Sequence, residues 1–296
     1  MNPLIPRRSF VQSSLAAVGV AALGRVARAA DPVAAQPGFR IFACDWTLQK
    51  LCNPDAFELA ARIGLDGVQV DFGRPKEGEA TLPLFNEAQQ DRIVAAAEKH
   101  RVVISSLAMG ALNNIPYKSD RATEQWVLDS VKVMTRLKQK VTLLAFFGKG
   151  DLVEDEAGVT EVIRRLKQLA PRAEAAGVVY GIESWLKAAE LERILDAVNS
   201  PAIRVYYDVG NMHKVGEDYG AAIRRLGRER ICEVHLKDYD DLYGKGSINF
   251  PVLRSALDAS GYRGWLGIEG VKTPLGVEAS IRYDVDYLRP IFPKAV

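Results

Sequence analysis

The chain has 296 residues, 48% of them hydrophobic, and 39 lysines and arginines against 37 aspartates and glutamates, a formal balance of +2. That length and apolar content support one substantial core, and so even a balance, with no arginine-rich run or basic stripe, argues against a nucleic-acid groove. Three cysteines, Cys44, Cys52 and Cys232, are too few for a disulfide framework, although one pair could form; Cys44 and Cys232 fall in apolar runs and read as small buried hydrophobes.

Residues 1–30 read as an export leader rather than as part of the fold. They hold four arginines and no acid, and Ala27-Arg28-Ala29 has the small-x-small form of a processing site. The adjacent Arg7 and Arg8, placed just before a small-residue and apolar run, resemble a twin-arginine leader. The apolar core is about a dozen residues, broken by serines and Gly24, and falls short of the roughly 20 needed to span a bilayer. This resemblance implies cleavage near Ala29, the twin-arginine machinery as a partner of the precursor, and a periplasmic or otherwise exported product with no stable membrane insertion. A retained anchor is the rival reading. Residues 31–296 then form one domain with 35 basic and 37 acidic residues.

In chain order, eight short apolar runs read as strands: FRIFACD (39–45), GVQVDF (67–72), RVVISSL (101–107), VTLLAFF (141–147), GVVYGIE (177–183), IRVYYDV (203–209), ICEVHLK (231–237) and GWLGIEG (264–270). Between them lie amphipathic stretches such as PDAFELAARIG and RATEQWVLDSVKVMTRLKQ, the signature of repeated βα units. Gly64, Gly177, Gly227 and Gly261 fall where helices need a left-handed C-cap. Asn53, Ser119 and Asp120 sit where helix starts need a side-chain acceptor, and Pro54 and Pro251 suit a first turn. The near-continuous apolar character of the runs is that of parallel strands covered on both faces. Eight units predict a closed (β/α)₈ TIM barrel. An open doubly wound sheet would want a Gly-rich turn after its first strand, and the sequence there is CDWTLQKLCNP.

Active sites of such barrels form where strands end and βα loops begin. The ends of the fifth to eighth strands carry Glu183, Asp208, His235 and Glu269 in turn. Strand alternation puts Gly181 with Glu183, Tyr206 with Asp208, Glu233 with His235, and Gly267 with Glu269 on shared faces, and the two glycines leave room beneath the acids. Three carboxylates and an imidazole gathered in a dry cavity call for a cation. The oxygen-rich set without a thiolate suits one divalent ion, Mn²⁺ foremost, with Mg²⁺, Co²⁺ or Zn²⁺ also matching.

Over residues 38–292 the sequence resembles the xylose-isomerase-like barrel superfamily, the sugar phosphate isomerase/epimerase group. GLDGVQVDF (64–72), GIES (181–184), YYDVGN (206–211), EVHLKD (233–238) and GKGSINFPVLRSALDASGYRGWLGIEG (244–270) carry the resemblance. It implies that Glu183, Asp208, His235 and Glu269 hold the metal, and that Glu183 and Glu269 move protons on opposite sides of a polyhydroxy carbonyl substrate. Where epimerases of the group have a histidine three residues after the metal aspartate, this chain has Asn211, with His213 two residues on. Where members often have a second-strand glutamate, it has Gln69, able to bond a hydroxyl but not to act as a base. DNA-repair endonucleases share the barrel but need further histidines, and the chain has only His100, His213 and His235.

Trp46 and Trp185 at the rim are candidate stacking platforms for a sugar, with Gln69, Asn211, His213 and Lys237 as further candidate substrate contacts. Lys237 shares parity with His235 and either meets a substrate oxygen or pairs with Glu233 or Asp238. The expected activity is isomerisation or epimerisation of a ketose or polyol ketone through an enediolate. Dehydration or elimination on inosose-like or 3-keto-glycoside substrates is the alternative, and a non-catalytic sugar-binding barrel the third reading. The sequence leaves a homo-oligomer open.

Overall fold

The computed structural model describes Met1 and residues 38–76 and 80–294; the leader and its processing site otherwise lie outside the described residues. Eight strands follow in order: β1 (Phe39–Cys44), β2 (Gly67–Asp71), β3 (Val103–Met109), β4 (Val141–Phe146), β5 (Val179–Ser184), β6 (Ile203–Asp208), β7 (Ile231–Leu236) and β8 (Gly264–Ile268). Each pairs in parallel with the next, and β8 closes on β1, giving the TIM barrel that the sequence predicts.

The helices are α1 (Asp55–Ile63), α2 (Glu87–His100), α3 (Arg121–Arg136), α4 (Glu156–Ala176), α5 (Ala188–Val198), α6 (Val209–Lys214), α7 (Tyr219–Arg230), α8 (Phe250–Ser260) and α9 (Val277–Ile291). Their apolar faces seal the outside of the barrel: α1, for instance, buries Ala56, Phe57, Leu59, Ala60 and Ile63, the three-and-four spacing of one helical stripe. A separate, smaller cluster that includes Phe42, Cys44, Leu143, Tyr206 and Cys232 fills the interior, so the barrel is a packed plug with its chemistry confined to one end.

Several sequence-based boundaries shift. The third strand starts at Val103, because Arg101 adopts φ 57° as the left-handed cap of α2. Gly227 lies at φ 65° inside α7, where it kinks the helix rather than ending it. Asp120, not Ser119, caps α3 by accepting from the Ala122 amide. Pro54 sits one position before the first turn of α1, and Asn53 Oδ1 accepts from the Asp55 amide. A short helix the sequence reading lacks, α6, follows β6 directly. The space over the two strand glycines is also already taken: a Cβ on Gly181 would meet Cys232 Sγ at 2.6 Å, and one on Gly267 would meet Phe42 and, at 2.8 Å, His235.

Candidate metal centre

Glu183 comes from β5, Asp208 ends β6, His235 lies in β7 and Glu269 follows β8. Adjacent staves and matching parity bring them together: one donor atom from each lies within 4.8 Å of all the others. Metal–ligand bonds of about 2.0–2.3 Å place donors from about 2.8 Å apart when adjacent to about 4.6 Å when opposite, so the cluster has the dimensions of a coordination sphere.

The surrounding bonds aim the donors. Asp208 Oδ1 accepts from the Asn211 amide at 2.8 Å and so caps α6, leaving Oδ2 for the cluster. Trp46 Nε1 donates to Glu269 Oε1 at 3.0 Å. Asp208 Oδ2 and Glu269 Oε2 are buried without a well-aligned hydrogen bond. Both are ion-paired to Lys237, whose Nζ is 3.3 Å from the former and in contact with the latter. A divalent ion held by this pair would compete with the ammonium for the same oxygens.

Under the cluster the barrel interior fixes the imidazole. Tyr206 and Ser106 both donate to Glu233 Oε2, at 2.7 and 2.8 Å. Their oxygens therefore accept from Gln69 Nε2, at 2.8 and 3.1 Å, which turns Gln69 Oε1 toward His235 Nε2 at 3.0 Å. Nε2 is thus the protonated nitrogen, and the Nδ1 lone pair faces Glu183 Oε1 at 2.8 Å. Two acceptors at that distance share a proton, or are neighbouring donors to one cation about 2.0–2.3 Å from each. An imidazole whose second nitrogen is held by an outer partner is the usual preparation for metal ligation.

Burial sets the charges. It lowers His235 to about 4, so the ring is neutral near pH 7. It pushes Glu183 up to about 8 and Asp208 up to about 7, with the Lys237 ammonium opposing both rises. Glu269 is raised by burial too, but Lys237 and His235 more than offset this and its pKa falls below the ordinary value. Burial also raises Glu233, to about 8, against the hydrogen bonds from Tyr206 and Ser106.

Above the cluster opens a cavity of about 320 Å³, lined in part by Trp46, Phe147, Trp185, Lys237, Tyr239 and the two glutamates. Trp46, Trp185 and Lys237 therefore stand where the sequence places them. The other three candidate substrate contacts do not line it. Gln69 is fully buried and spends both ends of its amide beneath His235. Asn211 is buried, its Oδ1 accepting from Tyr239 Oη, and exposed His213 packs edge-on near Tyr219. Lys237 pairs with neither Glu233 nor Asp238; the Asp238 carboxylate instead binds the amides of Asp240, Ser247 and Ile248. Sequence reasoning missed Tyr239 and Arg74, which reach the cavity from loops with no periodic pattern to mark them.

A closed parallel barrel with three acids and a histidine converging at the C-terminal ends of its strands defines a candidate catalytic metal site, of the kind that suits a metal-dependent isomerase, epimerase or lyase. The family follows from the sequence comparison: residues 57–291 match the xylose isomerase-like TIM barrel model, and the chain belongs to that family. It is 28% identical over 200 residues to the 2-epi-5-epi-valiolone 7-phosphate 2-epimerase of Actinoplanes sp., covering 67% of this chain and 72% of the relative. It is 26% identical over 244 residues to a putative L-ribulose-5-phosphate 3-epimerase of Escherichia coli, covering 73% and 82%. Among solved structures, the fold is similar to 3-keto-D-glucoside 4-epimerase from E. coli, with TM-score 0.71 and 15% identity over 85% of this chain and 99% of that one. D-psicose 3-epimerase from Clostridium cellulolyticum H10 gives TM-score 0.69 and 16% identity over 85% and 99%.

Proposed function

We propose that this protein is a metal-dependent isomerase or epimerase of a ketose or polyol ketone, with Glu183 and Glu269 as its two proton-transfer groups and with Glu183, Asp208, His235 and Glu269 holding one divalent ion. The observation that carries the reading is the imidazole: Gln69 fixes the Nε2 proton and leaves Nδ1, beside Glu183 Oε1, as a donor among four that converge within 4.8 Å of one another. The names of both curated relatives describe epimerases. A divalent ion at this cluster supplies Lewis-acid polarisation of a carbonyl and its neighbouring hydroxyl.

The side chains do the rest. Glu183 and Glu269 stand on β5 and β8 with β6 and β7 between them, and both line the cavity. One therefore takes a proton from the carbon next to the carbonyl, and the other returns it from a different side. Lys237 holds its ammonium beside Glu269 and Asp208, where it steadies an oxygen that gains charge as the proton leaves. Trp46 positions Glu269 through its indole N–H. Trp185 and Phe147, edge to face with centroids 5.3 Å apart, form the apolar wall against which a sugar face packs.

Turnover of a ketohexose, inosose and 3-keto-glycoside panel in D₂O, read by mass spectrometry, tests the reading. The account expects product of unchanged composition with deuterium at the exchanging carbon. Product lighter by one water would assign a lyase outcome to the same first step, and efficient turnover with no deuterium in the product would contradict the two-base scheme. Export through the twin-arginine route is part of the same proposal, supported by Arg7, Arg8 and the Ala27–Ala29 processing form. The intact mass of periplasmic protein should lack the leader, and Arg7→Lys with Arg8→Lys should hold the precursor in the cytoplasm.

A further inference from the structure

Lys237 lies just after β7, two residues beyond His235 and on the same face, and lines the cavity above the cluster. It is itself buried, and a buried ammonium is costly unless its charge is matched. The match comes from the two carboxylate oxygens that have no well-aligned hydrogen bond: Nζ lies 3.3 Å from Asp208 Oδ2 and in contact with Glu269 Oε2.

The stem of this lysine runs through a slot made by two glycines. A Cβ on Gly210, in the first turn of α6, would stand 2.9 and 3.0 Å from the lysine Cβ and Cγ. One on Gly270, which follows Glu269 and lies at φ 61°, would stand 2.6 Å from Cε and 3.5 Å from Nζ. Glycine at both positions lets two stretches of backbone close on the stem along its length. Much of the freedom of a long, flexible side chain is therefore removed in advance, and the head alone is left to move. A second station lies within its reach. The ring of Tyr239, on the wall of the same cavity, has its centroid 5.2 Å from Nζ and already serves exposed Lys214 at 5.1 Å. An ammonium and a divalent ion cannot share the same two oxygens, since the two cations repel at that range and the higher charge binds the acids more strongly.

We propose that Lys237 is an internal stand-in for the metal: its ammonium holds Asp208 and Glu269 together in the metal-free protein and, when a divalent ion takes those oxygens, moves along its slot to the Tyr239 face of the cavity. The inference deepens the proposed function and rests on its metal reading. One side chain thus keeps the acids converged before the ion arrives and stands free to meet a substrate oxygen afterwards. The slot formed by Gly210 and Gly270 keeps the head in the cavity through the exchange.

Thermal melting and calorimetric Mn²⁺ titration of the full chain test this with Lys237→Met, which keeps an unbranched apolar stem without the charge. In chelator-treated protein the variant should melt about 5 °C or more below wild type, because two buried carboxylates lose their cation. At about pH 8.5, where protons compete less for the acids, it should bind Mn²⁺ about tenfold more tightly than wild type. A merely structural role would weaken binding as it lowers stability, so the opposite signs are the signature. Tyr239→Leu should weaken Mn²⁺ binding by about threefold in the wild-type background and leave it unchanged in Lys237→Met. The proposal is overturned by an unchanged or higher metal-free melting temperature in Lys237→Met, by Mn²⁺ binding no tighter than wild type, or by an equal effect of Tyr239→Leu in both backgrounds. If neither wild type nor Lys237→Met binds Mn²⁺, the metal reading falls and takes the displacement with it, a result distinct from normal wild-type binding that the variant fails to tighten.

Discussion

Asp45 and Asp71, on the β1–β2 side of the barrel mouth, are as deeply buried as Glu183 and Asp208 across from them, yet the two groups are prepared for different tasks. On the first side Asp71 spends both oxygens on amides and Arg74, while Asp45 spends Oδ2 on amides and keeps a buried Oδ1 without a hydrogen bond. Asp45 Oδ2 accepts from the Cys52 and Asp71 amides, and Asp71 binds the Gly73 and Gly110 amides and Arg74. Burial, with Asp71 beside it, pushes Asp45 well above the ordinary carboxylate range and towards its neutral form. On the second side Asp208 and Glu269 keep an oxygen free of any well-aligned hydrogen bond, and Glu183 faces an imidazole lone pair. Burial alone does not make an acid a ligand. Nor does an oxygen left without a hydrogen bond, since Asp45 has one; what matters is whether such oxygens converge on one point, as they do among the described residues at Glu183, Asp208, His235 and Glu269.

That contrast breaks most visibly if residues on the two sides are exchanged in their effects. Glu183→Gln and Glu269→Gln should each lower turnover by about 100-fold or more while the protein stays folded, because an amide keeps the shape but takes no proton. Near-normal rates in both would end the two-base assignment. Asp208→Ala or His235→Ala should weaken divalent-ion binding by about 100-fold in a calorimetric titration, whereas Asp45→Asn should change it by no more than about threefold. A large effect of Asp45→Asn would erase the distinction. Gln69→Leu lies between these extremes. It leaves His235 in place but removes the acceptor that fixes its tautomer, and ion affinity should fall by about 10-fold to 100-fold. Asp71→Asn should cost about 1–3 kcal/mol of stability in denaturant titrations, through the amides and guanidinium it leaves poorly matched, with ion binding unchanged.

The smallest expected effect is on pH dependence. In metal-free protein, Glu183 at about 8 and Asp208 at about 7 hold protons that the unfolded chain has already released, so the folded state binds more protons and loses stability as pH rises through that range. His235, lowered to about 4, acts in the opposite direction only below its unfolded value of about 6.5. Between about pH 6.5 and 8.5 the metal-free melting temperature should therefore fall, and added Mn²⁺ should stabilise more at the upper end, where fewer protons must be displaced. A metal-free melting temperature that is flat or rising across that window would contradict the raised pKa values of Glu183 and Asp208.

The barrel was legible because its signal is periodic: apolar runs separated by amphipathic stretches, closed at several ends by residues such as Gly64 and Gly177 at positive φ. The four converging residues were legible for a related reason, since strand parity and neighbouring staves determine where such side chains point. Gln69 shows where that reasoning stops. The family resemblance offered it as a substrate contact, and only the packing of Tyr206, Ser106 and Glu233 shows that it lies beneath His235 rather than beside a ligand. Asn211 and His213 were misplaced because the loop after β6 is helical from Val209, which turns Asn211 onto Tyr239 and His213 outward. Arg74 and Tyr239 lie in loops whose courses depend on long-range contacts, such as the Gly110 amide on Asp71, that no local pattern encodes.

The central claim is that the β5–β8 side holds one divalent ion, and anomalous diffraction from a crystal of the Mn²⁺-loaded protein tests it most directly. The account predicts a single peak per chain, about 2.0–2.3 Å from Glu183, Asp208, His235 Nδ1 and Glu269, with the Lys237 ammonium drawn back from the oxygens it shares. A map with no peak at saturating Mn²⁺ and Lys237 still seated on Asp208 and Glu269, or with the ion bound through Asp45 and Asp71 instead, would contradict it.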